Sequence, residues 1–326
     1  MNSLDDAGDT FLMMFIGNHI KIKAKAPAAI LTSDWHIRGD RPICRTDNYL
    51  EAQKRKIETI ISLALKYDCP IIIAGDIGHK PIWGDRLLNQ TIETLQVDVP
   101  IIAIAGQHDL LHHKLNEWKE GGLGVLDKSL KNFTVQTGYL TIGKQDNIGI
   151  HCFPYSKQIT NEEQTRDKLV AVCHTMVLKS QKDKLWHDQI ASSAKWHLKK
   201  YPCYDLIVTG DNHQSFAIEY EGRWLVNAGS IMRMTANQID HRPSVYIWYS
   251  EDNRVERAYL PIEENVISRE HIEETERRDE RIESFVNRLK ETEELGLSFE
   301  NNIEEFFRAN RTRKRIVEKV WESMNG

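Results

Sequence analysis

Five short apolar runs, rich in β-branched residues and of strand length, punctuate the first two thirds of the chain: Ala28 to Thr32, Ile71 to Ala74, Pro100 to Ala105, Leu169 to Cys173 and Leu206 to Thr209. Between the first three, the spacing becomes helical. Tyr49 to Tyr67 carries Leu50, Ile57, Ile60, Ile61, Ala64 and Leu65 at helical spacing, with Thr46 or Asp47 as the expected N-cap and Pro70 soon after its end. Asp85 to Leu95 repeats the pattern with Leu88, Ile92 and Leu95. Strand, helix, strand, helix, strand predicts right-handed parallel crossovers, and ligand sites in such sheets lie beyond the carboxyl ends of the strands. Ser244 to Tyr249 and Arg254 to Leu260 are two further expected strands.

Beyond residue 262 the pattern changes to a proline-free stretch dense in Glu, Arg and Lys. Ile282, Phe285, Val286 and Leu289 form one apolar stripe; Ile303, Phe306, Phe307, Ile316, Val317, Val320 and Trp321 form another. Two helices are expected, with Gly296 at the break. Such stripes fold onto their own domain or self-associate as a homodimer. The expected organisation is an N-terminal extension (residues 1–27), a core domain (28–262) and a helical appendage (263–326).

Composition adds limits. With 326 residues, 40% apolar and 28% charged, the chain can bury one large core and still carry an appendage. Five cysteines, at 44, 69, 152, 173 and 203, make no C-x-x-C pair and point to reduced thiols in a cytoplasm. Phe11 to Ile16 is too short to span a bilayer and follows Asp5, Asp6 and Asp9 instead of a basic region, so no membrane segment is expected.

The candidate chemistry follows the apolar runs. Asp34-Trp35-His36, Gly75-Asp76, Gly106-Gln107-His108-Asp109, His174 and Gly210-Asp211-Asn212-His213 come in that order, most of them just after a run. Taken singly, each is an ordinary cap or turn. Together they hold enough donors for two metal ions. Asp34 and His36, two apart on an extended backbone, would point the same way, and a carboxylate such as Asp76 can bridge two cations. Imidazole with carboxylate, and no cysteine, suits Mn, Fe or Zn. Two ions about 3.5–4 Å apart clamp an in-line attack on phosphorus, so the donor set points to phosphoester hydrolysis.

At these residues the chain resembles the calcineurin-like metallophosphoesterases, whose pattern is D-x-H, G-D-x-x, G-N-H-D/E, H and G-H-x-H. The resemblance covers roughly residues 28 to 262 and implies a four-layer αββα sandwich. Within that superfamily the chain is most similar to SbcD-type DNA repair nucleases in their compact phage form, on Thr32-Ser33-Asp34-Trp35-His36, Gly106-Gln107-His108-Asp109-Leu110 and Asn227-Ala228-Gly229-Ser230-Ile231-Met232-Arg233-Met234-Thr235. The resemblance implies one ion on Asp34, His36 and His213, Asp76 bridging, and a second ion on Gln107, His174 and Asp211. His108 would be the acid at the leaving oxygen, Asp109 would orient it, and His79 would help seat the substrate. It also implies a C-terminal helical segment that docks on the coiled coil of an SbcC-like ATPase.

Two positions depart from the pattern. Gln107 stands where Asn is usual, and Asp211 stands where a histidine is usual; the extra carboxylate would favour Mn or Mg. A net charge of −5 looks wrong for a DNA partner, yet DNA needs only a local basic rim. Arg38, Arg41 and Arg45 after the first cluster, and Arg233 and Arg242 after the last, are the expected substrate contacts. The expectation is a manganese-dependent DNA nuclease in a bacterial or phage-infected cytoplasm. The alternatives are a small-nucleotide phosphodiesterase or phosphatase, and a metal-poor scaffold of the same fold that binds protein partners.

Overall fold

The computed structural model describes residues 26–143, 147–163, 165–180, 191–291 and 299–325. Residues 1–25 of the extension, Phe11 to Ile16 among them, lie outside the described residues, as do Gly296 and the side chain of Leu289.

Strand β1 (Ala29–Thr32) leads through α1 (Tyr49–Tyr67) to β2 (Ile71–Ile73), through α2 (Asp85–Leu95) to β3 (Ile101–Ala103), and through α3 (Gly122–Ser129) to β4 (Phe133–Val135). These four strands are parallel. The chain then builds a second sheet from β5 (Tyr139–Ile142), β6 (Ile148–Phe153) and β7 (Lys168–His174). After the small pair β8 (Val177–Leu178) and β9 (Ser192–Ser193) and the short α4 (Ala194–Lys200), it adds β10 (Leu206–Gly210), β11 (Phe216–Tyr220) and β12 (Arg223–Asn227). Finally β13 (Ser244–Tyr249) and β14 (Arg254–Tyr259) return to the first sheet. The strand orders are β14-β13-β1-β2-β3-β4 and β11-β12-β10-β7-β6-β5.

The two-residue period of a strand sorts the core into layers. Ile30, Ile71, Ile73 and Ile101 pack with Ile57, Ile60 and Ala64 of α1. Their neighbours Leu31, Ile72 and Ile102 instead join Ile150, Val170, Val172 and Val208 between the sheets. On the far side, Leu169, Ala171 and Ile207 pack with Ala194 and Leu198 of α4. The result is the four-layer sandwich, helix on sheet on sheet on helix.

Helix α1 spans the predicted residues, but its cap is Asn48, whose side chain accepts from Glu51 N. Asp47 is unavailable because Arg45 holds its carboxylate. Leu50 and Leu65 are 39% and 50% exposed, so neither belongs to the core stripe. Strands β4, β5, β6, β11 and β12 carry no clear signal: β4 has three residues, β5 is partly exposed, and Gly149 interrupts β6.

The tail holds three described helices instead of two: α5 (Glu270–Glu291), α6 (Phe299–Ala309) and α7 (Lys314–Asn325). The unforeseen break lies near Arg311, whose φ is +46°. Val286, Ile303 and Val320 are buried, Phe285 and Phe306 rings approach to 6.0 Å, and Lys319 pairs with Asp279. The segment leading into α5 is stitched to the sandwich: Thr46 N donates to Val266 O (3.1 Å) and Ser268 N to Cys44 O (2.7 Å). Among the described residues, no helix is long and apolar enough to cross a membrane.

Since Val286, Ile303 and Val320 belong to none of the three sandwich clusters, Val320→Asp should loosen the tail alone. Limited proteolysis should then cut within residues 270–325 at least tenfold faster while the denaturation midpoint of the sandwich stays in place. Equal loss of both would mean that the tail is part of the main core.

Candidate metal centre

Every candidate ligand sits at the carboxyl end of a parallel strand: Asp34 and His36 after β1, Asp76 after β2, Gln107 to Asp109 after β3, His174 closing β7, and Asp211 and His213 after β10. The sheets meet here, and β7 and β10 are in register with His174 opposite Gly210. Two loops run side by side, Asp34 N donating to Gly75 O (3.0 Å) and His36 N to Asp76 O (3.0 Å).

The backbone is unusual. Asp34, His36, Asp76 and Asp211 all have positive φ, at 50°, 44°, 52° and 85°. The extended backbone expected to aim Asp34 and His36 together is therefore absent; a pair of left-handed turns does that work. Such conformations cost about 1–3 kcal/mol each and persist where the surroundings over-determine them. Gly75, at φ +91°, and Gly106 make the closeness possible: a Cβ would lie 2.2 Å from His174 Nδ1 at the first and 2.1 Å from Asp76 Oδ1 at the second.

Asp76 Oδ2 lies between two imidazoles, 3.7 Å from His36 Nε2 and 3.5 Å from His174 Nε2. His174 Nδ1 donates to Ala74 O (2.7 Å), which turns Nε2 toward the carboxylate. His36 Nε2 and His213 Nε2 approach to 3.0 Å. Asp34 Oδ1 accepts from Asp211 N (3.0 Å), and Gln107 Nε2 donates to Asp211 Oδ1 (2.6 Å). Ligand atoms gather within 4.8 Å in three groups: Asp34 with His36 and His213, Asp34 with Asp76 and His174, and His36 with His79 and His108. Asp211 is tied to Gln107 and Asp34 but joins none of these groups.

A divalent centre fits these residues. Asp34 Oδ2, Asp76 Oδ2, Gln107 Oε1 and His174 Nε2 are buried without a hydrogen-bond partner, a costly arrangement for native polar groups unless something satisfies them. Burial pushes Asp34 up to about 7. Burial also opposes charge on Asp76, but His174 and His36 outweigh it and hold that carboxyl well below the usual range. Burial works against a charged His174 too, yet Asp76 and then Asp34 raise it to about 10. His36 and His213 are pushed down by burial, as neutral ligands should be.

The sequence model of the calcineurin-like phosphoesterases matches residues 29–215, more than half of the chain. The chain belongs to this family. Its members are metal-dependent hydrolases of phosphate esters, in keeping with the donor set. The matched segment stops before β11 to β14, strands that complete both sheets of this phosphoesterase. No curated protein matches its sequence. Among solved structures it is similar to an archaeal phosphodiesterase (14% identity, TM-score 0.38, covering 71% of this chain and 99% of that one). A Staphylococcus aureus protein assigned as a 5′-nucleotidase, in complex with α-ketoglutarate, is 14% identical with TM-score 0.45, over 74% of this chain and 54% of its own. A metallophosphoesterase from Sphaerobacter thermophilus is 14% identical with TM-score 0.36, over 72% and 89%.

Around the centre of this phosphoesterase, some expectations change. Asp109 does not touch the His108 ring; its buried carboxylate accepts from Ile77 N (3.2 Å), Gly78 N (2.8 Å) and Gly106 N (2.9 Å). His108 is oriented by His79 instead, through Nδ1 to the His79 carbonyl (3.0 Å), and the two rings stack at 5.7 Å. Arg45 and Arg233 are not a basic rim. Both are buried; Arg45 binds Asp47 and the Arg233 carbonyl, and Arg233 binds the carbonyls of Ile239 and Glu263. Arg38 pairs with Asp40, Arg242 lies over the Tyr259 ring, and Arg41 is exposed.

Three supporting roles escaped the sequence reading. Asn227 Nδ2 donates to the carbonyls of Asn212 and Gln214 (both 2.6 Å) and so shapes the His213 loop. Gln53 donates to the His36 carbonyl (3.3 Å), and buried Lys56 to that of Ile231 (2.8 Å). The available signal was a lysine and a glutamine on the buried face of α1, between Ala52 and Ile60.

Two outcomes follow. A divalent cation at a hundred times its dissociation constant should stabilise the protein by about 2.7 kcal/mol, read as a rise in melting temperature; no rise with Mn, Mg, Zn or Fe would exclude a metal centre. Asp109→Ala should lose about 3 kcal/mol in chemical denaturation, because three buried backbone amides lose their acceptor, and a loss below 1 kcal/mol would contradict its role as the tie between the loops.

Proposed function

We propose that this phosphoesterase is a two-metal phosphodiesterase acting on DNA, an SbcD-type nuclease subunit that prefers manganese and accepts magnesium. The observation that carries the two-ion reading is the position of Asp76 Oδ2 between His36 and His174, each a member of a different donor group. Asp34, His36 and His213 would hold one ion, Gln107, His174 and Asp211 the other, with Asp76 shared. Two bound cations would supply a water of lowered pKa and neutralise charge on the phosphoryl oxygens.

The chain's own residues would do the rest. With Nδ1 of His108 donating to the His79 carbonyl, a proton at Nε2 makes the ring cationic, and its transfer to the leaving oxygen returns the ring to neutrality. Gln107 keeps Oε1 available because its Nε2 is held by Asp211. The DNA reading is supported by the motif resemblance at residues 32–36, 106–110 and 227–235. In the tail, Phe306 is 50% exposed and Phe307 and Ile316 are partly so, while Val320 faces inward. The exposed aromatic would anchor an SbcC-like ATPase, as buried aromatics dominate interface energy.

Labelled single- and double-stranded DNA incubated with Mn, Mg and Zn tests this function. Cleavage in Mn is expected. Turnover of mononucleotides without any DNA cleavage would favour a small-substrate phosphodiesterase, and failure to take up metal would favour a scaffold. His108→Ala should retain metal while turnover of a phosphodiester falls roughly 10²–10⁴-fold, the usual contribution of acid catalysis; loss of metal together with activity would make His108 a ligand.

A further inference from the structure

A groove of about 300 Å³ opens next to His79 and leads away from the metal centre over the start of α2. His79 belongs to both: it walls the groove and gathers with His36 and His108. The groove's chemistry differs from that of the centre. Ile37, Leu50, Trp83 and Leu87 give it an apolar lining. Leu50 is 39% exposed and Ile82, at its rim, 61% exposed, so the groove offers apolar surface to a ligand. Lys80 and Arg86 stand at its edge as exposed cations, and Arg38, paired with Asp40, adds no net charge. We infer that this groove seats the nucleoside next to the scissile phosphate, its base on the Leu50, Ile82 and Leu87 surface, with Lys80 and Arg86 facing the flanking phosphate.

Size limits the occupant of this groove to one nucleoside. Small-ligand sites span about 300–1,000 Å³, and this groove is at the lower end. A larger groove of about 600 Å³ continues between α1 and α2, sharing Leu50 and Leu87. It carries Glu51, Glu58 and Glu93 together with Arg38, Lys54 and Arg86, so its charges are balanced where the smaller groove's exposed Lys80 and Arg86 are not. A base seated in the smaller groove is unstacked from its neighbours, at an end or an unpaired position. The inference rests on the phosphodiesterase reading and adds its substrate class.

The test uses the full chain with manganese and two substrates, the p-nitrophenyl ester of thymidine 5′-monophosphate and bis(p-nitrophenyl) phosphate, which lacks a nucleoside. Leu87→Trp fills the groove, and Ile82→Asp charges its rim at an exposed position where folding is not at stake. Each should lower the ratio of kcat/KM for the nucleotide ester to that for the plain diester, at least tenfold in Leu87→Trp, mainly through KM. An unchanged ratio in both variants overturns the inference. If the wild-type protein hydrolyses neither substrate, the phosphodiesterase reading fails, and calorimetric titration with thymidine 5′-monophosphate still decides the groove. Binding lost in Leu87→Trp supports it; equal binding to both proteins overturns it.

Discussion

A carboxylate with no access to water, Asp76, sets the terms for the rest of the molecule. Its two oxygens are used differently: one accepts the His108 amide, and the other lies between imidazoles that belong to different sheets. To reach both, three loops must approach more closely than side chains allow, so Gly75 and Gly106 stand at the closest approaches. Asp109 then ties two of those loops through backbone amides, a role invisible from its place beside His108. Short parallel strands buried on both faces are the scaffold that holds these loop ends in register.

Much of this was legible in the sequence because the central strands are continuous β-branched runs and the ligands follow them directly. Ile71 to Ile73 is unambiguous; Arg223 to Asn227 is not, since Arg223 and Trp224 offer no buried periodicity of their own. The ligand identities were legible, but their backbone was not. Positive φ at Asp34 and His36 depends on the partner loop at residues 75–77, a tertiary constraint that local propensity does not encode.

The arginines show the same limit from the other side. A basic residue near a motif is ambiguous between solvent and interior, and burial decides. Arg45, Lys56 and Arg233 lie inside, capping carbonyls of the segment that follows β12 and of the segment that leads to the tail. Their hydrogen bonds support the loop carrying Ser230 to Met234, whose Ile231 N reaches the Asp34 carbonyl (3.4 Å). The tail's attachment and the first metal loop therefore share a foundation, although the helices beyond pack on one another.

The pairing of β1 with β13 has a consequence for synthesis. Ala29 is the register partner of Trp248, so one edge of the first strand has no partner until most of the chain has left the ribosome. At 5–20 residues per second, that interval is roughly 10–40 s, long enough for an apolar edge to meet other chains. Asp34, His36 and Asp76 are likewise translated well before His174 and His213, so an ion captured by the nascent chain would meet only part of its final ligands.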